Sequence, residues 1–264
     1  MTLQLDARQR AMLAEMGVRV YEPPMRSAPP VAEPPSVRHP GPREQAPQSP
    51  EAAAVSSPAT VRESRNPAST GGPRNAAIEL MQWDALTGAA AECRACPLGG
   101  GRRNAILGAG DLRAEWLVVG DPPREDEDLQ GEPFVGEAGQ LLDNMLKALG
   151  LNRQQQVYLT NVVKCRPVGR NPEPSELAQC DTFLRRQVQL LQPRIILAMG
   201  RFAVQALLGT GEPIGKLRGR IHRYQGVPVV ATYHPSYLLR HLADKAKAWE
   251  DLCLALDEMR RQPG

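Results

Sequence analysis

The chain has 264 residues, a formal net charge of +3 and a pI near 8.7, a mildly basic balance that permits contact with nucleic acid without requiring it. Hydrophobic residues make up 42%, enough for a core, yet 13 of the 25 prolines fall between Tyr21 and Asn75, which excludes one compact domain over the whole length. No stretch approaches the roughly 18 consecutive apolar residues of a membrane helix, and Met1–Asp6 lacks the basic-then-apolar order of a secretory signal; the expected compartment is the cytoplasm, nucleoid-associated if the chain binds DNA, where thiols stay reduced.

Residues 3–17 have the spacing of a short amphipathic helix, with Leu5, Met12, Leu13 and Met16 on one stripe and Gly17 as its stop. Val18, Val20 and Tyr21 prolong the apolar strip. Such a helix is marginal alone, so residues 1–21 are expected either to dock on a partner or to pack loosely. The run Met12–Tyr21 resembles the peptide by which the psi subunit of the bacterial clamp loader docks on its chi partner, which implies a replication or repair protein as the partner. Residues 22–75 are rich in Pro, Ala and Ser and nearly free of large apolar side chains. Such a segment cannot bury enough surface to offset its chain entropy and reads as a disordered linker. The folded domain is expected over residues 76–264.

Within it, Ala77 to Leu86 reads as a helical stretch leading into Cys93, followed by a buried strand at Trp116–Val119 and a helix at Glu137–Leu149. Val157–Asn161 is the next strand, Glu173–Leu191 a helix, Arg194–Met199 a strand and Phe202–Leu208 a helix. Arg220–Tyr224 and Val227–Thr232 flank Gln225-Gly226 as a hairpin, and Lys245–Arg260 closes the chain as a helix. Strands alternating with helices predict a parallel sheet covered on both faces. Ligands of such sheets sit beyond the carboxyl ends of the strands, which points to Asp121, Asn161, Gly200 and His234.

Cys93 and Cys96 form a C-x2-C pair; 68 residues separate it from Cys165, and 14 more separate Cys165 from Cys180. Four such cysteines suit a four-thiolate site, which zinc and a [4Fe-4S] cluster both accept, and spacing does not choose between them. Cys180, between Leu177 and Leu184, also fits an ordinary buried thiol, as does Cys253 between Leu252 and Leu254.

Three longer motifs are specific. Gly120-Asp121-Pro122-Pro123-Arg124-Glu125-Asp126-Glu127-Asp128 followed by Gly131-Glu132-Pro133-Phe134-Val135-Gly136-Glu137-Ala138-Gly139-Gln140-Leu141-Leu142 resembles the first motif of the family 4, iron–sulfur uracil-DNA glycosylases. Thr160-Asn161-Val162-Val163-Lys164-Cys165-Arg166-Pro167 and His234-Pro235-Ser236-Tyr237-Leu238-Leu239-Arg240 are similar to two more of that family's motifs, in family order. The resemblance implies a three-layer α/β/α sandwich around a central, mostly parallel four-stranded sheet. It also implies a [4Fe-4S] cluster on Cys93, Cys96, Cys165 and Cys180, with zinc the lesser alternative, and hydrolysis of uracil from DNA by a monomer. One departure falls at the reacting centre: where the family has Gly-Glu-x-Pro-Gly, this chain has Gly120-Asp121-Pro122-Pro123-Arg124. The acid is one methylene shorter, and a glycine is replaced by a bulky cation.

By that resemblance Asp121 places the attacking water and His234 donates to uracil O2, while Asn161 pairs with the uracil edge, Phe134 stacks on the everted base and Glu127 crowds its C5 position. With Glu125, Asp126 and Asp128 beside it, Glu127 also has the composition of a solvated acidic face. Lys216, Arg218, Arg220, Arg223 and Arg240 are expected to grip phosphates, and Tyr237 or Leu238 to fill the gap left by the everted nucleotide, unless they begin a helix packed on the core. Two other functions stay open: release of a different deaminated base, or a non-catalytic DNA-binding, replication-associated module.

Overall fold

The structure, a computed structural model, describes residues 72–262; the predicted helix of residues 3–17 and most of the predicted linker lie outside the described residues. No helix among the described residues is long and apolar enough to cross a membrane.

The predicted stretch before Cys93 is two helices, α1 (Pro73–Leu80) and α2 (Trp83–Glu92). Met81, at φ −69° and ψ 143°, breaks the helical path between them. Pro73 opens α1, a position where the missing proline N–H costs nothing, so this helix begins a little before the expected residue 76. A short helix α3 (Leu98–Gly101) follows the C-x2-C pair. Then come β1 (Ala109–Gly110), β2 (Trp116–Gly120), α4 (Glu125–Gln130), α5 (Gly136–Ala148), β3 (Val157–Asn161) and α6 (Pro174–Leu191). The chain continues through β4 (Ile195–Met199), α7 (Arg201–Leu208), α8 (Ile214–Leu217), β5 (Ile221–Tyr224), β6 (Val227–Thr232), α9 (Pro235–Leu238) and α10 (Lys245–Arg261).

The strands form one sheet in the order β1-β3-β2-β4-β6-β5. The central four, β3-β2-β4-β6, are parallel as expected. The two edges add antiparallel strands: β1 on β3, and β5 on β6. Gln225 and Gly226 join β5 to β6 with φ of 49° and 82°, the paired positive values that match the twist of a tight hairpin.

Side chains alternate along each central strand. Trp116, Val118, Leu159, Ile195 and Leu197 pack under α5 and α10, while Leu117, Val119, Tyr158, Ile196 and Ala198 meet α6 and α7 on the other face. Both faces are covered, so β2, β3 and β4 are buried at every position, the pattern of an interior parallel sheet. The result is the three-layer sandwich. A third cluster, built from Ile78, Leu86, Val163 and Phe183, joins α1 and α2 to the four cysteines.

Candidate active site

Register fixes the floor of the site. Gly120 aligns with Asn161 on one side and Met199 on the other, and Met199 aligns with Thr232. Asp121, Asn161, Gly200 and His234 therefore lie at or just beyond the same carboxyl edge. Asp121 and His234 line one cleft of about 850 Å³. A second cleft of about 430 Å³ is lined by Glu127, Phe134 and His234, and shares Arg124, Ser236 and Arg240 with the first.

Asp121 turns back onto the start of α7. Its Oδ1 accepts from the backbone N–H groups of Phe202 (2.8 Å) and Ala203 (3.2 Å), and Oδ2 has no hydrogen bond among the described residues. The approach requires glycine at position 200: φ there is +102°, and a Cβ would sit 2.2 Å from Oδ2. Burial pushes the Asp121 carboxyl up to about 6, against the opposing pull of those two N–H groups and of Arg201 and Arg124.

His234 is buried, and its Nδ1 accepts from the Ser236 backbone N–H at 3.2 Å with Ser236 Oγ at 2.8 Å. An Nδ1 that accepts leaves the ring proton on Nε2. Burial, with the nearby Arg124 charge, lowers the imidazole to about 3, so the ring is a neutral Nε2–H donor at any working pH. Phe134 lies stacked against it, centroids 5.3 Å apart and planes at 15°. Phe134 is 1% exposed and has φ 54°, a left-handed conformation unusual for an aromatic residue and of the kind found at functional sites. Its ring passes over Gly120, where a Cβ would meet Cζ at 2.5 Å, and its carbonyl passes over Gly139. These two glycines let the ring reach the sheet.

Asn161 is fully enclosed. Its Nδ2 donates to the Asp121 carbonyl (2.8 Å) and weakly to Glu127 Oε1 (3.5 Å), while Oδ1 is buried without a partner. Glu127 is 5% exposed, which removes the solvated-face reading of the acidic run for it and for Asp128. Its two oxygens accept from the backbone N–H groups of Phe134 and Arg124, so in this structure it holds the loop that carries the aromatic ring. Asp128 accepts from Arg103 N and Asn104 N.

The expected phosphate contacts divide. Arg218 is tied to Asp251 (3.1 Å) and Glu250 (3.0 Å); Asp251 is 0% exposed, and a buried carboxylate needs that cation, so Arg218 is structural here. Lys216 and Arg220 are exposed outside both clefts, Arg220 within 4.0 Å of Glu212. Arg223 donates to the Gly226 carbonyl within its own hairpin. Arg240 lines both clefts. Tyr237 is clamped between Tyr233 and His241 and donates to Asp244 at 2.8 Å. Leu238 is 1% exposed in the core, a correction to its expected place as a wedge; α9 turns it inward and presents Leu239, 36% exposed, beside the smaller cleft.

Cys93, Cys96, Cys165 and Cys180 all line one small cavity between α2, α6 and the segment after β3. Arg74 donates to Cys93 Sγ (3.2 Å), Arg102 to Cys165 Sγ (2.6 Å) and the Lys164 backbone N–H to Cys180 Sγ (3.2 Å). No group of three or more His, Cys, Asp or Glu among the described residues is gathered as ligands of a metal ion. Burial pushes the Cys180 thiol up to about 12. Cys253 stands apart, against the α10 core. Lys164 lies inside a quoted motif but has no expected role: its Nζ donates to Thr160 Oγ1 (2.6 Å) and the Asn161 carbonyl (2.8 Å), so with its backbone N–H on Cys180 Sγ one residue ties that thiol to the strand end bearing Asn161.

The family model of the uracil DNA glycosylase superfamily matches residues 107–253, and the chain belongs to that superfamily. The type-4 uracil-DNA glycosylase of Archaeoglobus fulgidus is 41% identical over 156 residues, 56% of this chain and 78% of the relative. That of Thermotoga maritima is 42% identical over 159 residues, 59% of this chain and 82% of the relative. A type-5 uracil-DNA glycosylase of Pyrobaculum aerophilum is 34% identical over 148 residues, 49% of this chain and 64% of the relative. Within the superfamily, the type-4 branch is where this chain sits.

Proposed function

We propose that the chain hydrolyses the N-glycosidic bond of uracil in DNA. The observation that carries this is the partnerless Asn161 Oδ1, deep at the edge where Asp121, Phe134 and His234 converge. A buried acceptor without a donor costs free energy and is retained where a ligand supplies the donor. Uracil N3–H is such a donor. Asn161 is 0% exposed and lines neither cleft, so its surroundings must give way for an everted base to reach it.

Bond cleavage builds positive charge on the sugar and negative charge on the departing base. The Nε2–H of His234 meets the negative charge at uracil O2, and the free Oδ2 of Asp121 orients water and faces the sugar. Phe134 supplies the stacking surface, and Glu127 fixes the loop behind it. Base release from oligonucleotides carrying uracil, hypoxanthine or xanthine tests the reading: release of uracil is expected, preferred by at least about tenfold (about 1.4 kcal/mol in the barrier) over the others. Preference for a purine would transfer the role to another deaminated base, the alternative that Pro122 and Arg124 raise; binding with every glycosidic bond intact would leave a non-catalytic module.

A [4Fe-4S] cluster on the four cysteines is supported by their place along one small cavity and by N–H donors to three of the sulfurs, the kind of hydrogen bond that tunes such clusters. When bound, the cluster would tie α2 and α6 to the segment following Asn161; hydrolysis needs no electron from it. Cys180→Ser is expected to reduce iron from about four atoms per chain to near zero and to abolish the brown colour, with Cys253→Ser as the unaffected control. Iron and absorbance measured on anaerobically purified protein decide it; a colourless wild-type protein carrying zinc would overturn the assignment.

A further inference from the structure

Five arginines line the larger cleft, together with three carboxylates. Two of the arginines are neutralised: Arg166 by Glu125 at 3.0 Å, and Arg170 by the buried Glu176 at 2.6 Å. The other three, Arg124, Arg201 and Arg240, have no ion pair and no side-chain hydrogen bond among the described residues. Arg201 rests its guanidinium on the Phe202 ring, 4.5 Å from the centroid. Arg124 caps α4, and Arg124 and Arg240 both line the smaller cleft as well as the larger. They come from three separate segments: Arg124 follows β2, Arg201 opens α7 and Arg240 follows α9.

These three guanidinium groups share the cleft with the Asp121 and Asp126 carboxylates but are held by no direct ion pair among the described residues, and each presents a planar fork that fits phosphate oxygens. The cleft they surround holds Asp121 and His234, so an anion bound there lies beside the reacting nucleotide. We propose that Arg124, Arg201 and Arg240 form a phosphate clamp that holds the DNA backbone on either side of the everted uridine. This rests on the uracil-DNA reading for the identity of the nucleotide, but not for the phosphate contacts themselves. It also moves the backbone path away from Lys216 and Arg220, which lie outside the cleft, and gives a role to the cation that stands where the family pattern has glycine.

The test is binding of the full-length protein to a uracil-free single-stranded oligonucleotide, followed by fluorescence anisotropy across about 50 to 200 mM salt. Each phosphate contact contributes about 0.7 to the slope of log Kd against log salt on single strands. R124Q, R201Q and R240Q are each expected to lower the slope by about 0.7, which is about 2.6-fold less loss of affinity over that range. R124K, R201K and R240K are expected to keep the wild-type slope, as are K216Q and R220Q. Unchanged slopes in the three glutamine variants would overturn the clamp, and so would a fall of that size in K216Q and R220Q with none in the cleft variants. Because the oligonucleotide contains no uracil, failure here leaves the glycosylase reading intact, and absence of base release leaves the clamp intact.

Discussion

Replacing His234 by asparagine is expected to slow uracil release at saturating substrate by about 10²- to 10³-fold, the usual cost of removing one donor to a developing anion. The geometry behind that figure is specific. Ser236 gives Nδ1 two contacts, at 2.8 and 3.2 Å, which fixes the proton on Nε2. The imidazole is lowered to about 3, first by burial and then by Arg124, so it stays uncharged across the working range. A neutral donor already in place strengthens its bond only as charge gathers on the base, so the loss belongs in kcat rather than KM. Ser236→Ala removes the hydroxyl but keeps the backbone N–H on Nδ1, and a loss of only about tenfold is expected. Single-turnover release from a uracil oligonucleotide measures both. A loss under tenfold for His234→Asn would show that the ring serves packing against Phe134 instead.

What the sequence revealed and concealed follows from the range of each interaction. Continuous apolar runs such as Trp116–Gly120 and Ile195–Met199 are local, and the observed strands match the expected bounds within a residue. Placement of Asp121, Asn161 and His234 at one edge follows from the parallel-sheet rule alone. The ion pair of Arg218 is not legible locally because its partner, Asp251, lies 33 residues away. A signal was present, though: Asp251 sits among Ala248, Leu252 and Ala255 on the buried face of α10, where a carboxylate demands a cation. Glu127 carried a similar signal, since glutamate at the third position of a helix characteristically reaches back to the cap. The left-handed backbone of Phe134 had no local cue; it follows from contact with Gly120 and Gly139, which only the assembled fold provides. Leu238 and Leu239 were indistinguishable because a helix of four residues is too short to show a period.

For Asp121, activity and stability are expected to move in opposite directions. The wild-type rate should be half-maximal near pH 6, flat above it and about tenfold lower per unit below, because the free Oδ2 must be ionised to orient water. His234, lowered to about 3, cannot supply that limb. Asp121→Asn should lower kcat by about 10²-fold or more and abolish the limb. The folded value of about 6 lies above the ordinary 3.8, so the native state binds this proton more tightly than the unfolded chain does. The stability associated with it is complete below about pH 3.8 and is lost as pH rises through about 6. At pH 8 the wild type therefore carries the full cost of a buried carboxylate. Asparagine avoids that cost while its Oδ1 still accepts from Phe202 and Ala203. The variant should be more stable than wild type at pH 8 by roughly 2–3 kcal/mol, an advantage that fades towards pH 4. Urea unfolding at the two pH values, set beside the pH–rate profile, checks both halves. If the variant were less stable at pH 8, or kept an acid limb near pH 6, Asp121 would be only a cap on α7, and the water would have to be placed by another group.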